Sequence, residues 1–141
     1  MSTCYHNFAY VYDTFMDNIP YKEWSQYILT LFHAGSIFNG TLVELGCGTG
    51  TLCGLMSAAG YSVIGIDNST DMLTVAADKL AAAKNVTLLY QDMTDLDLGD
   101  TYYDGFYCVC DSLNYLLAAE EILSAFSGVQ RYLKKQGIFI F

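Results

Sequence analysis

Basic residues are scarce in this chain. Six Lys and Arg stand against 15 Asp and Glu in 141 residues, a formal charge of −9 at pH 7, and the six (Lys22, Lys79, Lys84, Arg131, Lys134 and Lys135) are scattered. Binding a phosphate backbone takes a basic patch that releases counterions, so the balance argues against nucleic acid as a direct partner and against an anionic membrane surface. No apolar stretch reaches the roughly 18 residues that span a bilayer, and the start, MSTCYHNFAY, lacks a basic region followed by an apolar run. There is no CxxC pair. The five cysteines, Cys4, Cys47, Cys53, Cys108 and Cys110, are odd in number and fit free thiols in a reducing, cytoplasmic setting. His6 and His33 are isolated, no Cys/His set has ligand spacing, and no metal is expected; Cys108 and Cys110, two apart, read as ordinary strand packing. Charge of either sign is low, 15% against roughly 25% in an average domain. With 53% hydrophobic residues, this excludes disorder and implies either an unusually large buried apolar area or a core missing part of its cover. The length suits one domain.

The hydrophobic pattern alternates between helices and strands. Tyr5 to Met16 and a segment opening at Pro20 carry apolar residues at helical spacing (Phe8, Tyr12, Phe15; Trp24, Tyr27, Ile28, Leu31). Gly35 ends the second helix, and Asn39-Gly40 turns into a first strand, Thr41 to Leu45. A helix follows with Leu52, Leu55 and Met56 inward and Gly60 as its stop. Ser62 to Ile66 is the second strand, Ser69 the N-cap of a helix with Lys79 and Lys84 at its negative end, and Val86 to Tyr90 the third strand. Gly105 to Val109 is expected as the fourth, Ala119 to Lys134 as a helix, and Gly137 to Phe141 as the fifth. Continuous apolar strands alternating with helices indicate a parallel sheet covered on both faces. Residues 1–38 read as a helical cap and 39–141 as the core.

Glu44-Leu45-Gly46-Cys47-Gly48-Thr49-Gly50 ends the first strand and begins a helix, where an open α/β sheet presents its ligand crevice. Three glycines remove three Cβ atoms and permit positive φ, so backbone can approach a ligand closely. Asp67 then stands at the tip of the second strand. A dinucleotide fingerprint has this outline too, but Thr51 occupies the place of its third glycine. A carboxylate at Glu44 would repel a pyrophosphate and suit a ligand carrying an ammonium and a sulfonium.

The block Glu44 to Gly50 resembles the first motif of class I S-adenosylmethionine-dependent methyltransferases, and the signals that follow keep that family's order from about Tyr5 to Phe141. The resemblance implies S-adenosylmethionine as cofactor and S-adenosylhomocysteine as product, with Glu44, Gly46, Cys47, Gly48 and Gly50 forming the cofactor loop. It further implies that Asp67, with Asn68 beside it, accepts the ribose hydroxyls, that Met72 lies near the adenine, and that Asp92 and Met93 meet the adenine edge. Asp111, Asn114 and Tyr115, after the fourth strand, fall where the family faces the transferring methyl; Asp111 is a cofactor-side candidate as well, and Asp111 and Asn114 equally suit helix caps. The Asn/Asp-Pro-Pro-Tyr sequence of nucleic-acid amino methyltransferases is absent. Phe8 to Asp13 and Tyr21 to Trp24 resemble a bacterial small-molecule subgroup whose N-terminal helices close over the cofactor, with Tyr5 and Tyr12 as lid residues or, alternatively, as core.

The expected fold is therefore a Rossmann-like, doubly wound parallel sheet of order 3-2-1-4-5, truncated relative to the family's seven strands in order 3-2-1-4-5-7-6. On that expectation strand 5 is an exposed, uncharged edge that seeks a partner, a second copy included. The expected activity is methyl transfer to a small-molecule acceptor. A non-catalytic S-adenosylmethionine sensor or regulatory module, and aminopropyl transfer from the decarboxylated cofactor, stay open at this point.

Overall fold

The computed structural model describes residues 3–109, 116 and 118–141. Its elements run α1 (Thr3–Phe15), α2 (Tyr21–Ala34), β1 (Thr41–Leu45), α3 (Thr51–Ala58), β2 (Ser62–Asp67), α4 (Thr70–Lys79), β3 (Val86–Tyr90), β4 (Tyr103–Tyr107), α5 (Ala119–Tyr132) and β5 (Leu133–Ile140). The strands form one five-stranded sheet in the order β3-β2-β1-β4-β5, with every adjacent pair parallel. The expected topology is present.

β1 sits at the centre, and Leu42, Val43, Glu44 and Leu45 are all buried, as a strand covered on both faces requires. One face holds Ile28 and Phe32 of α2, Leu52, Cys53 and Met56 of α3, and Leu42, Val63 and Tyr107 of the sheet, with Leu73 of α4 and Leu80 at its C-cap packed against them. The other holds Val43, Leu45, Ile66 and Phe106 under Val129 and Tyr132 of α5, closed by Leu96 and Leu98 from the segment after β3. The Ser69 hydroxyl accepts the Met72 N–H at 3.3 Å and caps α4 as expected. Gly60, at φ +105°, follows α3 in the left-handed region that favours glycine.

Three strands depart from the expected bounds; β2 does so by one residue, ending at Asp67 rather than Ile66. β4 begins at Tyr103 rather than Gly105 and ends at Tyr107, because its start is tied to its neighbours: the Asp104 carboxylate accepts the Thr41 N–H at 2.9 Å and the Lys134 ammonium at 2.9 Å. Cys108 therefore lies past the strand end, although its N–H still donates to Ile140 O at 2.9 Å; Cys110 lies outside the described residues. β5 begins at Leu133, directly after α5, rather than at Gly137. Leu133 pairs with Tyr103 and Ile138 with Gly105, so three extra residues bulge out between those pairs. The exposed Lys134, Lys135 and Gln136 occupy that stretch, which is why hydrophobic pattern alone starts the strand late.

Candidate functional site

The carboxyl ends of β1, β2 and β3 converge on one cavity of about 450 Å³. The strand order reverses between β1 and β4, the switch point at which open α/β sheets hold ligands. After β1 the chain turns through Gly46, Gly48 and Gly50 at φ +68°, +56° and +82°. The turn is held from across the sheet: Asp67, the last residue of β2, accepts the Gly48 N–H at 2.9 Å through Oδ2 and the Ser69 N–H at 2.9 Å through Oδ1. Cys47 N–H donates to Ile66 O at 2.9 Å. Burial pushes the Asp67 carboxyl above its ordinary value, against the pull of the Gly48, Ser69 and Asn68 N–H groups. Asp67 thus fixes the loop and also presents its carboxylate to the cavity wall.

Gly46, Gly48, Asp67, Asn68, Met72, Asp92 and Met93, seven of the residues singled out from sequence, all line this cavity, as does Tyr12 from α1. At its β3 end Asp92 Oδ1 accepts both the N–H (2.8 Å) and the hydroxyl (2.7 Å) of Thr94, which fixes the carboxylate in an Asx turn. Gln91 steadies the same loop through two bonds to the Asp97 backbone, at 2.8 and 3.0 Å. The walls carry three acids, Asp67, Asp92 and Glu121, and no Lys or Arg among the described residues.

α1 lies over the glycine loop, and a polar network holds it there. Thr49, 1% exposed, donates its hydroxyl to Asp13 Oδ1 at 2.6 Å, while Lys79 Nζ reaches Asp13 Oδ2 at 2.8 Å, Thr51 Oγ1 at 2.8 Å and Thr49 Oγ1 at 3.3 Å. Lys79 is therefore a strut between α4, α1 and the loop, beyond the helix-end charge expected of it. Phe8 and Tyr12 stack edge to face, with ring centroids 5.5 Å apart, above the cavity.

Glu44 faces elsewhere. It is 4% exposed, does not line the large cavity, and instead borders an adjoining one of about 30 Å³ with Cys47, Tyr12 and Thr49. Its Oε1 accepts the Cys53 thiol at 3.1 Å. Burial is the main reason its carboxyl is pushed up to about 8, outweighing the pull of Cys53 and Tyr107, with the nearby Asp67 charge pushing the same way as burial. Burial thus favours its neutral form, and the acids that face the large cavity are Asp67, Asp92 and Glu121.

Gly50 lines neither cavity; it is the left-handed N-cap of α3, where a Cβ would come 2.7 Å from Leu80 and 3.2 Å from Ala76. Tyr5 lies on α1, and its side chain is outside the described residues. Asp111, Asn114 and Tyr115 also lie outside them. Phe8, Ser69, Gln91, Leu116 and Glu121 line the large cavity without having been singled out as site residues. For Ser69 the N-cap pattern was the available signal; for Glu121 only its place in the first turn after the β4 crossover pointed there.

A methyltransferase domain family matches residues 42–137. The chain belongs to that family. It is 36% identical to the "Putative methyltransferase YqeM" of Bacillus subtilis (strain 168), over 97% of this chain and 54% of the relative. Among solved structures it resembles an S-adenosylmethionine-dependent methyltransferase from Clostridium acetobutylicum ATCC 824, with a TM-score of 0.82 and 29% identity over 96% of this chain and 56% of that one. Streptomyces venezuelae DesVI gives a TM-score of 0.84 at 27% identity, covering 94% of this chain and 56% of its own. The chain thus spans about half the length of the relatives it matches. Among the described residues no helix is long and apolar enough to cross a membrane.

Proposed function

We propose that this methyltransferase-family chain binds S-adenosylmethionine in the 450 Å³ cavity and serves methyl transfer to a small-molecule acceptor. The observation that carries the reading is the meeting of Gly46 and Gly48, Asp67, and Asp92 with Met93 on one cavity wall, brought there by the ends of three neighbouring strands. The volume lies within the roughly 300–1,000 Å³ usual for cofactor-sized ligands. The residues fit an adenosine-bearing cation. Asp67 keeps lone pairs for the ribose hydroxyls beyond its two N–H bonds, Met72 and Met93 supply apolar surface for a purine, and Asp92 Oδ2 stands beside an Oδ1 already fixed by Thr94. The acid-only lining favours a sulfonium over a phosphate. When bound, S-adenosylmethionine supplies an electrophilic methyl group for in-line displacement by a nucleophile.

The chain's own residues then act by holding and enclosing. Gly48, at φ +56° in the left-handed region that favours glycine, lets backbone rather than a side chain face the ligand. Asp13, Thr49 and Lys79 keep α1 seated, so that Phe8 and Tyr12 exclude water from one side. Leu116 and Glu121 border the side reached from β4 and α5, where the acceptor would enter. We assign residues 1–38 to a helical cap and 39–141 to the binding core. Asp111, Asn114 and Tyr115 remain the acceptor-side candidates by sequence.

Calorimetric titration tests the cofactor. S-adenosylhomocysteine should bind and NAD should not, and tight NAD binding with no S-adenosylhomocysteine heat overturns the assignment. Transfer of a labelled methyl group across a panel of small amines, alcohols and thiols tests the reaction and separates an enzyme from a binding module.

A further inference from the structure

The turn that feeds β1, Asn39-Gly40, lies at the opposite end of the sheet from the glycine loop and borders neither cavity. An asparagine followed by glycine is open to attack by the main chain on its own side-chain amide, because glycine sets no side chain beside its nitrogen and offers little resistance to backbone rotation. Folding decides whether that attack takes place. It needs an exposed asparagine whose side chain is free to turn, and a following N–H that no acceptor holds.

The described asparagines differ in these respects. The Ile19 N–H after Asn18 donates to Met16 O at 2.9 Å. The Ser69 N–H after Asn68 donates to Asp67 Oδ1 at 2.9 Å. The Asn85 side chain is itself engaged, accepting the Ser57 hydroxyl and donating to Tyr61 O at 2.6 Å, and the β-branched Val86 follows it. Asn39 is exposed, and among the described residues neither its side chain nor the Gly40 N–H has a hydrogen-bond partner; only Gly40 O is engaged, accepting the Ser62 N–H at 2.9 Å. The fold also holds the glycine in place. Gly40 sits at φ +113°, and a Cβ there would run into the Asp104 carboxylate, which accepts the Thr41 N–H and the Lys134 ammonium.

We propose that Asn39 is a site of spontaneous deamidation. The Gly40 nitrogen attacks Asn39 Cγ: an N–Cγ bond forms, the Cγ–Nδ2 bond breaks, and ammonia leaves with the proton of the Gly40 amide, closing a cyclic imide. Water then opens the imide at either carbonyl, giving aspartate or isoaspartate, in which the main chain runs through Cβ and Cγ. Asparagine and water become a carboxylic acid and ammonia, and nothing is oxidised or reduced. Either product sets a negative charge beside the Asp104 clamp, and isoaspartate also lengthens the main chain just ahead of Thr41, whose N–H Asp104 holds. The head of β1 is therefore what the change loosens.

The test is peptide mapping by mass spectrometry after the full, folded chain has stood for days in warm, mildly alkaline buffer, with a synthetic peptide of residues 36–42 as the unfolded reference. The Asn39 amide should be lost, partly to isoaspartate, while Asn18, Asn68 and Asn85 in the same sample stay intact, and the loss should quicken as pH rises. The unfolding midpoint of the wild type should fall in step with the conversion, and Asn39→Gln should keep its midpoint over the same period. Asn39 intact in the folded chain overturns the inference, and conversion of the peptide in parallel would show that the turn protects it. Earlier conversion at Asn68 or Asn85 overturns the assignment of the site, and a converted chain that unfolds as the fresh one does overturns the loosening of the clamp.

Discussion

The two halves of the sheet are built differently. On the β1-β2-β3 side, backbone and side chains are bound across elements at close range: Asp67 grips the glycine loop, Asn85 ties β3 to α3 through the Ser57 hydroxyl and donates to Tyr61 O at 2.6 Å, and α1 is pinned through Asp13. On the β4-β5 side, Asp104 and Lys134 fix one end, a bulge interrupts the register, and the far end carries a ring cluster, Phe126, Phe139 and Phe141, whose centroids lie 5.0 to 5.6 Å apart with Phe141 70% exposed. A ligand-binding half needs groups preorganised before the ligand arrives, and the first half has them. The second is a sheet edge with apolar surface still open, a surface to which other chain can add.

The largest effect that separates the halves concerns Glu44. Its carboxyl titrates near 4.5 when unfolded and near 8 when folded, so between those values the folded state holds the extra proton and stability falls as pH rises, levelling above about 8. At 1.36 kcal/mol per unit this amounts to roughly 3–5 kcal/mol over the window. Glu44→Gln keeps the neutral shape without the titration. Urea unfolding at pH 5 and pH 8.5 should show the wild type losing stability and the variant nearly flat; parallel profiles would remove Glu44 as the cause. Asp104 bears on the opposite end of the scale. Burial pushes it up, but the Lys134 hydrogen bond and charge and the Thr41 N–H together hold it below its ordinary value, so its contribution is lost only in acid.

Asp67 comes next. Asp67→Ala leaves the Gly48 and Ser69 N–H groups without their acceptor and, on the proposed reading, the ribose as well. Affinity for S-adenosylhomocysteine should fall by about 1–3 kcal/mol. In the other half Asp104→Ala removes the acceptor of Thr41 N–H and should cost about 1–2 kcal/mol of folding stability, with the dissociation constant unchanged. If both variants shift stability and affinity alike, the halves are one unit and the contrast fails. Asp13→Ala, which frees Thr49 and Lys79, should weaken the ligand by about 1 kcal/mol while the unfolding midpoint barely moves; an unaltered dissociation constant would show that α1 is held by its apolar contacts alone.

The sequence discloses the first half more fully than the second for a physical reason. β1 and β3 occupy the expected residues, since each is a short apolar run bounded by turn residues and paired without interruption. β4 and β5 are shifted because their outer ends are set by the Asp104 interactions and by the bulge at 134–136, neither of which has a hydrophobic period. Side-chain direction is the second thing a motif conceals. Glu44 belongs to the recognised block, yet alternation along β1 puts it on the face of Leu42, beneath α2 and α3, and that parity was the available signal that it points into the protein rather than at the large cavity. Tyr107 and Cys53 join it only through strand register and the absence of a side chain at Gly65, relations between distant residues that no local pattern carries. The Asp13–Lys79 strut is likewise a contact 66 positions apart.

The smallest expected effect tests the open edge itself. β5 is the last strand in the sheet order, and its Gly137 to Ile140 end carries no charge, the condition under which edges pair with one another. Chains of this length should therefore self-associate weakly, with Phe141 and its ring neighbours at the contact. Sedimentation at increasing concentration should show a monomer–dimer equilibrium. Phe141→Glu, which leaves the core untouched because the ring is mostly exposed, should weaken it by about 0.5–1 kcal/mol, the worth of an aromatic pair. The same variant should bind S-adenosylhomocysteine as the wild type does, because no residue of β5 borders either cavity. A monomer at all concentrations would show that the bulge and the lysines at 134 and 135 already protect this edge. A loss of ligand affinity in the variant would show instead that the edge and the cofactor half are coupled through β4.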